Sequence, residues 1–299
     1  FVLLNAVFHA QGAFVHVPPQ TAVGRPLQII QIITQNKAAI PRLIAPRLHI
    51  DVGSGAAADF CFTFANFAGT EEFWFNQVTH LQIAPLATVS YMNISTPLSN
   101  CFYNDHLSAQ LQAQSRLQLV NFLTGTLSQN LYYNIALKEK GAALSVKGLG
   151  LLAGERKCSC HLKVRQTAPQ TEAWQLIKQI VADHAEGSFK GELILEKEAS
   201  QAKSYQMSRN LLLGEKARVL VQPQMRIFAD DVDAKHGMTT SSLNPAELFY
   251  LQSRGLPAIV AKTLLVRGFC QDVIEAINLP SQKERLLCLV TKFFEEQDG

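Results

Sequence analysis

A chain of 299 residues that is 47% hydrophobic can bury a large core in one or two domains and is not a disordered chain. Its net charge of +3, with no run of five or more Lys or Arg, leaves no electrostatic footprint for nucleic acid. No apolar run is long enough to span a bilayer, and the six cysteines (Cys61, Cys101, Cys158, Cys160, Cys270, Cys288) are too sparse for a disulfide scaffold. A reducing, cytoplasmic setting is expected, or the stroma of a plastid. The chain opens on Phe1, so the true N-terminus is expected upstream and the lack of a signal peptide carries little weight.

From about residue 10 to 235 the dominant signal is a period of two. It appears in "RLHIDV" (Leu48, Ile50, Val52) and in "FCFTF" (Phe60, Phe62, Phe64). It continues in "LSAQLQAQSRLQL", where Leu107, Ala109, Leu111, Ala113, Ser115, Leu117 and Leu119 alternate with polar residues. "KCSCHLKV", "GELIL" and "ARVLV" carry the same beat, which only a strand turns into two distinct faces. One helix is expected inside this region, across "QTEAWQLIKQIVADHAEG". An all-β run of roughly 220 residues is long for one sandwich. Strands stacked coil on coil would solve it as a solenoid. The repeats are not literal, so the pattern alone leaves a β-helix, a jelly roll and a sandwich open.

After residue 242 the period changes. Asn244 caps and Pro245 opens a helix through "AELFYLQSR", which Gly255 stops at the C′ position. Pro257 starts a second helix with Val260, Leu264, Leu265, Phe269, Val273 and Ile277 on its predicted apolar stripe. Beyond "NLP", Leu286, Leu287, Val290, Phe293 and Phe294 mark a third. The expected division is a β core over 1–240 and a helical domain over 241–299.

Little of the sequence carries chemistry. Cys158 and Cys160 share a strand face that could chelate a soft metal, but they are in phase with Leu162 and Val164, which marks that face as core. "GLGLLAGE" has the wrong glycine spacing for a dinucleotide loop, and no phosphate-binding loop of the Gly-x-x-x-x-Gly-Lys-Ser/Thr type exists. "NIST" at Asn93 reads as a chance glycosylation acceptor. Asp230, Asp231 and Asp233 are too few for calcium and read as solvated turn acids. His236 is expected on a loop set by Gly237, where the last strands meet the helical tail. No nucleophile or orienting partner lies beside it in sequence to build a triad.

The stretch from Asn210 to Val273 strongly resembles the SufB/SufD family of iron–sulfur cluster assembly proteins. The anchors are Asn210-Leu-Leu-Leu213, Pro223, Ala229-Asp-Asp-Val232, His236-Gly237, Leu248-Phe-Tyr-Leu251, Ser253-Arg-Gly255, Leu264-Leu265 and Gly268-Phe269. The likeness is dense from about 160 to 280, and the His-Gly pair looks most like the SufD branch. It implies a right-handed parallel β-helix followed by a helical C-terminal domain; the family's N-terminal helical domain is expected to be absent. It also implies a non-enzymatic scaffold subunit. Such a subunit would pair through its β-helix with a SufB-like paralogue and through its C-terminal helices with a SufC-like ATPase, and could form a homodimer when isolated. The candidate ATPase contacts are Glu247, Phe249, Tyr250, Arg254 and Gly255. His236 is the candidate cluster-assembly residue; no cofactor is expected to be stably bound, although a transient iron–sulfur cluster could sit at the complex interface. Two positions depart from the family pattern: Ala234 stands where a cysteine is usual, and Met225-Arg226-Ile227 replaces Leu-Glu-Ile. A carbohydrate-active β-helix enzyme is the alternative. It would need a catalytic cluster in a long groove and a secretion signal, and the sequence offers neither convincingly.

Overall fold

In the computed structural model of the chain, described for residues 1–34, 42–67, 72–94 and 98–295, strands wind into a parallel solenoid of about 7 turns. A short helix α1 (Val2–Phe8) precedes β1 (Gly12–Val17), β2 (Leu27–Thr34), β3 (Arg42–Ile44), β4 (Arg47–Val52), β5 (Ala57–Phe67) and β6 (Phe73–Ile83). The coils continue with β7 (Thr88–Ile94), β8 (Leu98–Leu111), β9 (Arg116–Leu123), β10 (Thr126–Leu137), β11 (Ala143–Leu152) and β12 (Lys157–Gln166). They end with β13 (Glu172–Val181), β14 (Glu186–Leu195), β15 (Ala202–Leu212), β16 (Arg218–Ile227) and β17 (Val232–Ser241). Helices α2 (Pro245–Ser253), α3 (Ala258–Ile274) and α4 (Pro280–Glu295) follow.

Successive strands alternate between two sheets. One runs β1-β4-β6-β8-β10-β12-β14-β16, with β3 beside β6; the other runs β17-β15-β13-β11-β9-β7-β5-β2. Every pairing is parallel and nearly every register is unbroken, so residues of like position stack coil over coil. The inward set includes Leu48, Ile50, Val52, Phe60, Phe62 and Phe64, all buried as their alternation predicted. Cys158, Cys160, Leu162 and Val164 belong to the same core.

The repeat that the letters hide lies at one corner. Gln20, Gly55, Leu86, Gln114, Gly141, Gln170 and Gln201 all have left-handed backbone, at spacings of 27 to 35 residues. At each, the amide donates to a carbonyl of the next coil's turn, as from Leu86 to Ala113 (2.9 Å) and from Gln114 to Lys140 (2.9 Å). Such a corner needs a backbone geometry and no particular side chain, and only two of the seven are glycine. One of these corners, at Gln114, divides "LSAQLQAQSRLQL" into the end of β8 and the start of β9.

The helix expected across residues 170–187 is instead strand, a turn, and the start of the next strand. Ala173, Gln175, Ile177, Gln179 and Val181 face the core, while Lys178 and Ile180 are buried on the other face beneath α3 and α4. A strand covered on both sides loses its clean alternation and imitates a helical pattern.

The C-terminal helices do not stand apart as an isolated bundle. α3 and α4 lie on the outer face of the eight-stranded sheet and share a second core with it. Met92, Ile94, Val120, Phe122, Leu149, Leu151 and Ile180 from the sheet meet Val266, Cys270, Val273, Ile274, Leu286 and Val290. The buried stripe of α3 overlaps the predicted one in part: Val273 and Ile277 are buried, and Leu265 and Phe269 are half-buried. Val260 and Leu264 are exposed, and Ala261, Val266, Cys270 and Ile274 turn inward beside Val273. Nearly every position from 258 to 266 is apolar, which offers the helix two stripes, and the sheet selects one. In α4, Leu286, Val290 and Phe293 are buried; the side chain of Phe294 lies outside the described residues.

Candidate functional site: the open end of the solenoid

Among the described residues β16 and β17 are the last strands of their sheets, so each leaves one edge unpaired at the same end of the solenoid. His236 lies within β17, not on a loop: the parallel ladder continues past Gly237 to Ser241, opposite Leu211. Its position settles its facing. His236 stands in register with Gln206, and Gln206 with Gln175, a row whose members point into the solenoid. Gln206 and Gln175 are almost fully buried, and the Gln206 amide donates to Gln175 (2.9 Å). A Cβ at Gly191, across the interior, would collide with the Gln206 amide, so glycine there makes room for it. His236 continues this row where no further coil covers it, and is therefore exposed. Ala234, two residues earlier, shares the inner face and packs on the core. The family's usual cysteine would stand on the same face as the histidine.

The outward residues of β17 build a separate surface. Asp233 accepts a hydrogen bond from the Tyr205 hydroxyl and pairs with Lys235 (3.2 Å), whose ammonium lies 5.4 Å from the centre of the Tyr205 ring. Trp174 stacks on Tyr205 with ring centroids 4.0 Å apart. The Tyr205 hydrogen bond and Lys235 hold the Asp233 carboxyl below its ordinary range. Asp233 is thus not a solvated turn acid; Asp230 and Asp231 are exposed in the bend before β17. The arginine that replaces the usual glutamate is also engaged. Arg226 and Lys163 each approach Glu192 at 3.5 Å, so the charges have partners across β12, β14 and β16.

Sequence reasoning missed that the interior is partly polar. Asp105, wholly buried on the inner face of β8, accepts from the Asn93 amide and the Tyr133 hydroxyl, both at 2.9 Å. Tyr133 also contacts Asn121 (3.1 Å). Burial pushes the Asp105 carboxyl up to about 7, against the lowering by these two donors. Asn93 is 1% exposed and part of this network, which closes it to glycosylation. Burial raises the Cys158 thiol, and pushes the Cys160 thiol to about 12. Neither is a ready thiolate. Among the described residues no group of three or more His, Cys, Asp or Glu comes together to hold a metal.

The helical candidates cluster on α2, which buries no residue. Asn244 accepts the Ala246 amide (3.0 Å) and Gly255 ends the helix with φ 87°, both as the sequence predicts. Phe249 is 71% exposed and Tyr250 57%, with Arg254 5.3 Å from the Tyr250 ring centre and Glu247 exposed nearby. Between α2, α3 and the last coil runs a cleft of about 700 Å³, lined by Leu213, Ala217, Leu243, Leu248, Ile259 and Lys262.

Three side chains fix α3 to the solenoid. Gln118 donates to the Ala276 carbonyl (2.6 Å) and Lys147 to that of Asp272 (3.0 Å). Lys178, nearly buried, donates to the Phe269 carbonyl and the Asp272 carboxylate, each at 2.7 Å. The cations thus meet carbonyls near the C-terminal end of the helix, where its dipole is negative.

Known proteins resemble the chain along nearly all its length. An iron–sulfur cluster assembly SufBD family protein of Synechocystis is 26% identical over 293 residues, 96% of this chain and 64% of the relative. The iron–sulfur cluster assembly protein SufD of Escherichia coli is 26% identical over 247 residues, 82% of this chain and 57% of the relative. The protein of that name from Bacillus subtilis is 25% identical over 297 residues, 97% and 65%. The chain therefore spans about three fifths of the length of these relatives. None of them bears the name of a carbohydrate-active enzyme. The sequence model described as SUF system FeS cluster assembly, SufBD core domain, matches residues 32–269, and the chain belongs to that family.

Proposed function

We propose that this protein is a SufD-like scaffold subunit of an iron–sulfur cluster assembly complex, and not itself an enzyme. The observation that carries the reading is His236: an inward-facing imidazole on the last strand, at an end where both sheets have open edges. Unpaired strand edges suit main-chain pairing with another chain. A SufB-like paralogue that continued both sheets would cover His236 and could bring its thiolates to it. Imidazole is a competent iron ligand beside thiolates. Ala234 in place of the usual cysteine makes this subunit's contribution depend on the histidine. The cluster itself is cargo, assembled there transiently. The same edges would let two copies of the chain pair when no paralogue is present.

The exposed Phe249, Tyr250 and Arg254, with Glu247 and the Gly255 stop, form the surface for a separate SufC-like ATPase. Aromatic and arginine side chains on an uncovered helix are typical anchors of an interface. The test is co-purification with SufB-like and SufC-like chains. Phe249→Asp with Tyr250→Asp should remove the ATPase and keep the paralogue. If the ATPase stays bound to the double variant, the assignment of α2 fails; if the wild-type chain captures neither protein, the scaffold reading fails with it.

A further inference from the structure

Five of the chain's eight histidines, His16, His49, His80, His106 and His161, stand on the outer face of the nine-stranded sheet, on β1, β4, β6, β8 and β12. His49 and His80 lie several coils from the open end that carries His236, and nothing in the cluster-assembly reading uses any of the five. His16 is occupied, its Nδ1 2.8 Å from the Asp51 carboxylate. His106 and His161 are separated by Tyr132, whose ring stacks on His106 at 4.8 Å between centroids. His49 and His80 face each other with no ring between them, while Phe14 stacks on His49 from β1 with centroids 5.4 Å apart. The two histidines are directly opposite in the β4–β6 register, half-buried, with ring centroids 6.3 Å apart. Neither ring takes part in a hydrogen bond among the described residues.

We propose that His49 and His80 form a binding site for a borderline divalent transition-metal ion, with its remaining coordination positions filled by water.

The spacing fits. A metal–nitrogen bond of about 2.1 Å, plus about 1.1 Å from nitrogen to ring centre, separates two ligating rings by roughly 5 Å at a tetrahedral angle and about 6.4 Å in line. The observed separation of 6.3 Å lies at the in-line end of that span, so the two rings turn toward each other to share one ion at a smaller angle. Imidazole is the commonest protein ligand for zinc, iron, nickel and copper, and binds in its neutral form. Two charged residues flank His49 on the same face of β4: Asp51, engaged with His16, and Arg47, which donates to Asn5 (3.0 Å) and puts positive charge beside His80. Two protein ligands are fewer than the four of a structural zinc site. The site is therefore an exchangeable one, which holds an ion while leaving it open to an incoming ligand.

The test uses tag-free protein of the full chain, titrated anaerobically with Co²⁺ while its visible absorption is followed, with Zn²⁺ then added as competitor. The wild type should take up about one equivalent that Zn²⁺ displaces. His49→Asn with His80→Asn should weaken that uptake by at least about tenfold while the thermal melt stays two-state near the wild-type midpoint. His184→Asn, in a turn elsewhere, should change nothing. The proposal is overturned if the wild type shows no saturable uptake, or if the double variant binds as tightly as the wild type. It is equally overturned if His236→Asn abolishes uptake and the double variant retains it.

Discussion

Asp105 shows what a single buried residue can impose on the chain. Its folded pKa of about 7 lies above the roughly 3.9 expected in the unfolded chain. Between those values the native state holds the extra proton, so this group makes stability fall as pH rises from about 4 to 7. Asp105→Asn keeps an oxygen for the Asn93 and Tyr133 donors and cannot ionise. Its stability relative to the wild type should therefore grow between pH 5 and pH 8, on the order of 1–3 kcal/mol. Denaturant melts at both pH values check this; a difference that does not vary with pH would contradict it. Leu86 makes a second residue-scale case, since leucine occupies the left-handed corner at φ 63° with its side chain exposed. Asn tolerates that conformation better, so Leu86→Asn should raise stability by about 0.5–1 kcal/mol, read from the urea midpoint. Leu86→Val, which is β-branched, should lower it.

Among the elements, the joint between α3 and the solenoid is the most exposed to mutation. Lys178 is buried at both its carbonyl and carboxylate contacts, while the Asp272 carboxyl is half in solvent. Removing the acid leaves a buried ammonium with the Phe269 carbonyl but no counter-charge; removing the ammonium leaves an acid that water can reach. Asp272→Ala should thus cost more, roughly 2–4 kcal/mol, than Lys178→Met, which preserves the packed stem, at about 1–2 kcal/mol. The reverse order in thermal unfolding would show that the ammonium's bond to the Phe269 carbonyl outweighs its pairing with Asp272. These elements also show where sequence legibility ends. Asn244, Pro245 and Gly255 are local signals, and the helix they bound forms as they predict. The strand over Glu172–Val181 is illegible because its second buried face is made by helices some 90 residues later in the chain. His236 is marked as a candidate by its residue type and its Gly237 neighbour, but its inward facing depends on Gln206 and Gln175 in earlier coils. The pairing of Arg226 with Glu192 needed the same stacking to be seen.

Seen as a whole, the molecule is a stack of coils with one outer face closed by α3 and α4. The helical tail shares its core with the sheet beneath it, so the boundary near residue 240 divides kinds of structure more than independent folding units. Removing residues 243–299 would uncover Met92, Phe122, Leu149 and Ile180, which are buried. The truncated chain should bind a hydrophobic dye and aggregate at concentrations where the full chain remains monodisperse; a monodisperse truncation would show that the helices are dispensable to the coils. The solenoid itself was foreshadowed by the period of two in the sequence, but the coil length was not, since it resides in backbone corners occupied by Gln, Gly and Leu alike.

The most direct measurement is cluster formation by the reconstituted complex of this chain with SufB-like and SufC-like partners, comparing wild type with His236→Ala. Iron and sulfide are counted under anaerobic conditions, and complex formation is followed in parallel. The variant should fold, since His236 is exposed on an edge strand, and should retain both partners. Iron retained per complex should fall at least about tenfold, with partial recovery in His236→Cys, because thiolate is the commoner ligand for iron–sulfur centres. Cluster formation by His236→Ala at the wild-type rate and yield would contradict the role assigned to the open end of the solenoid.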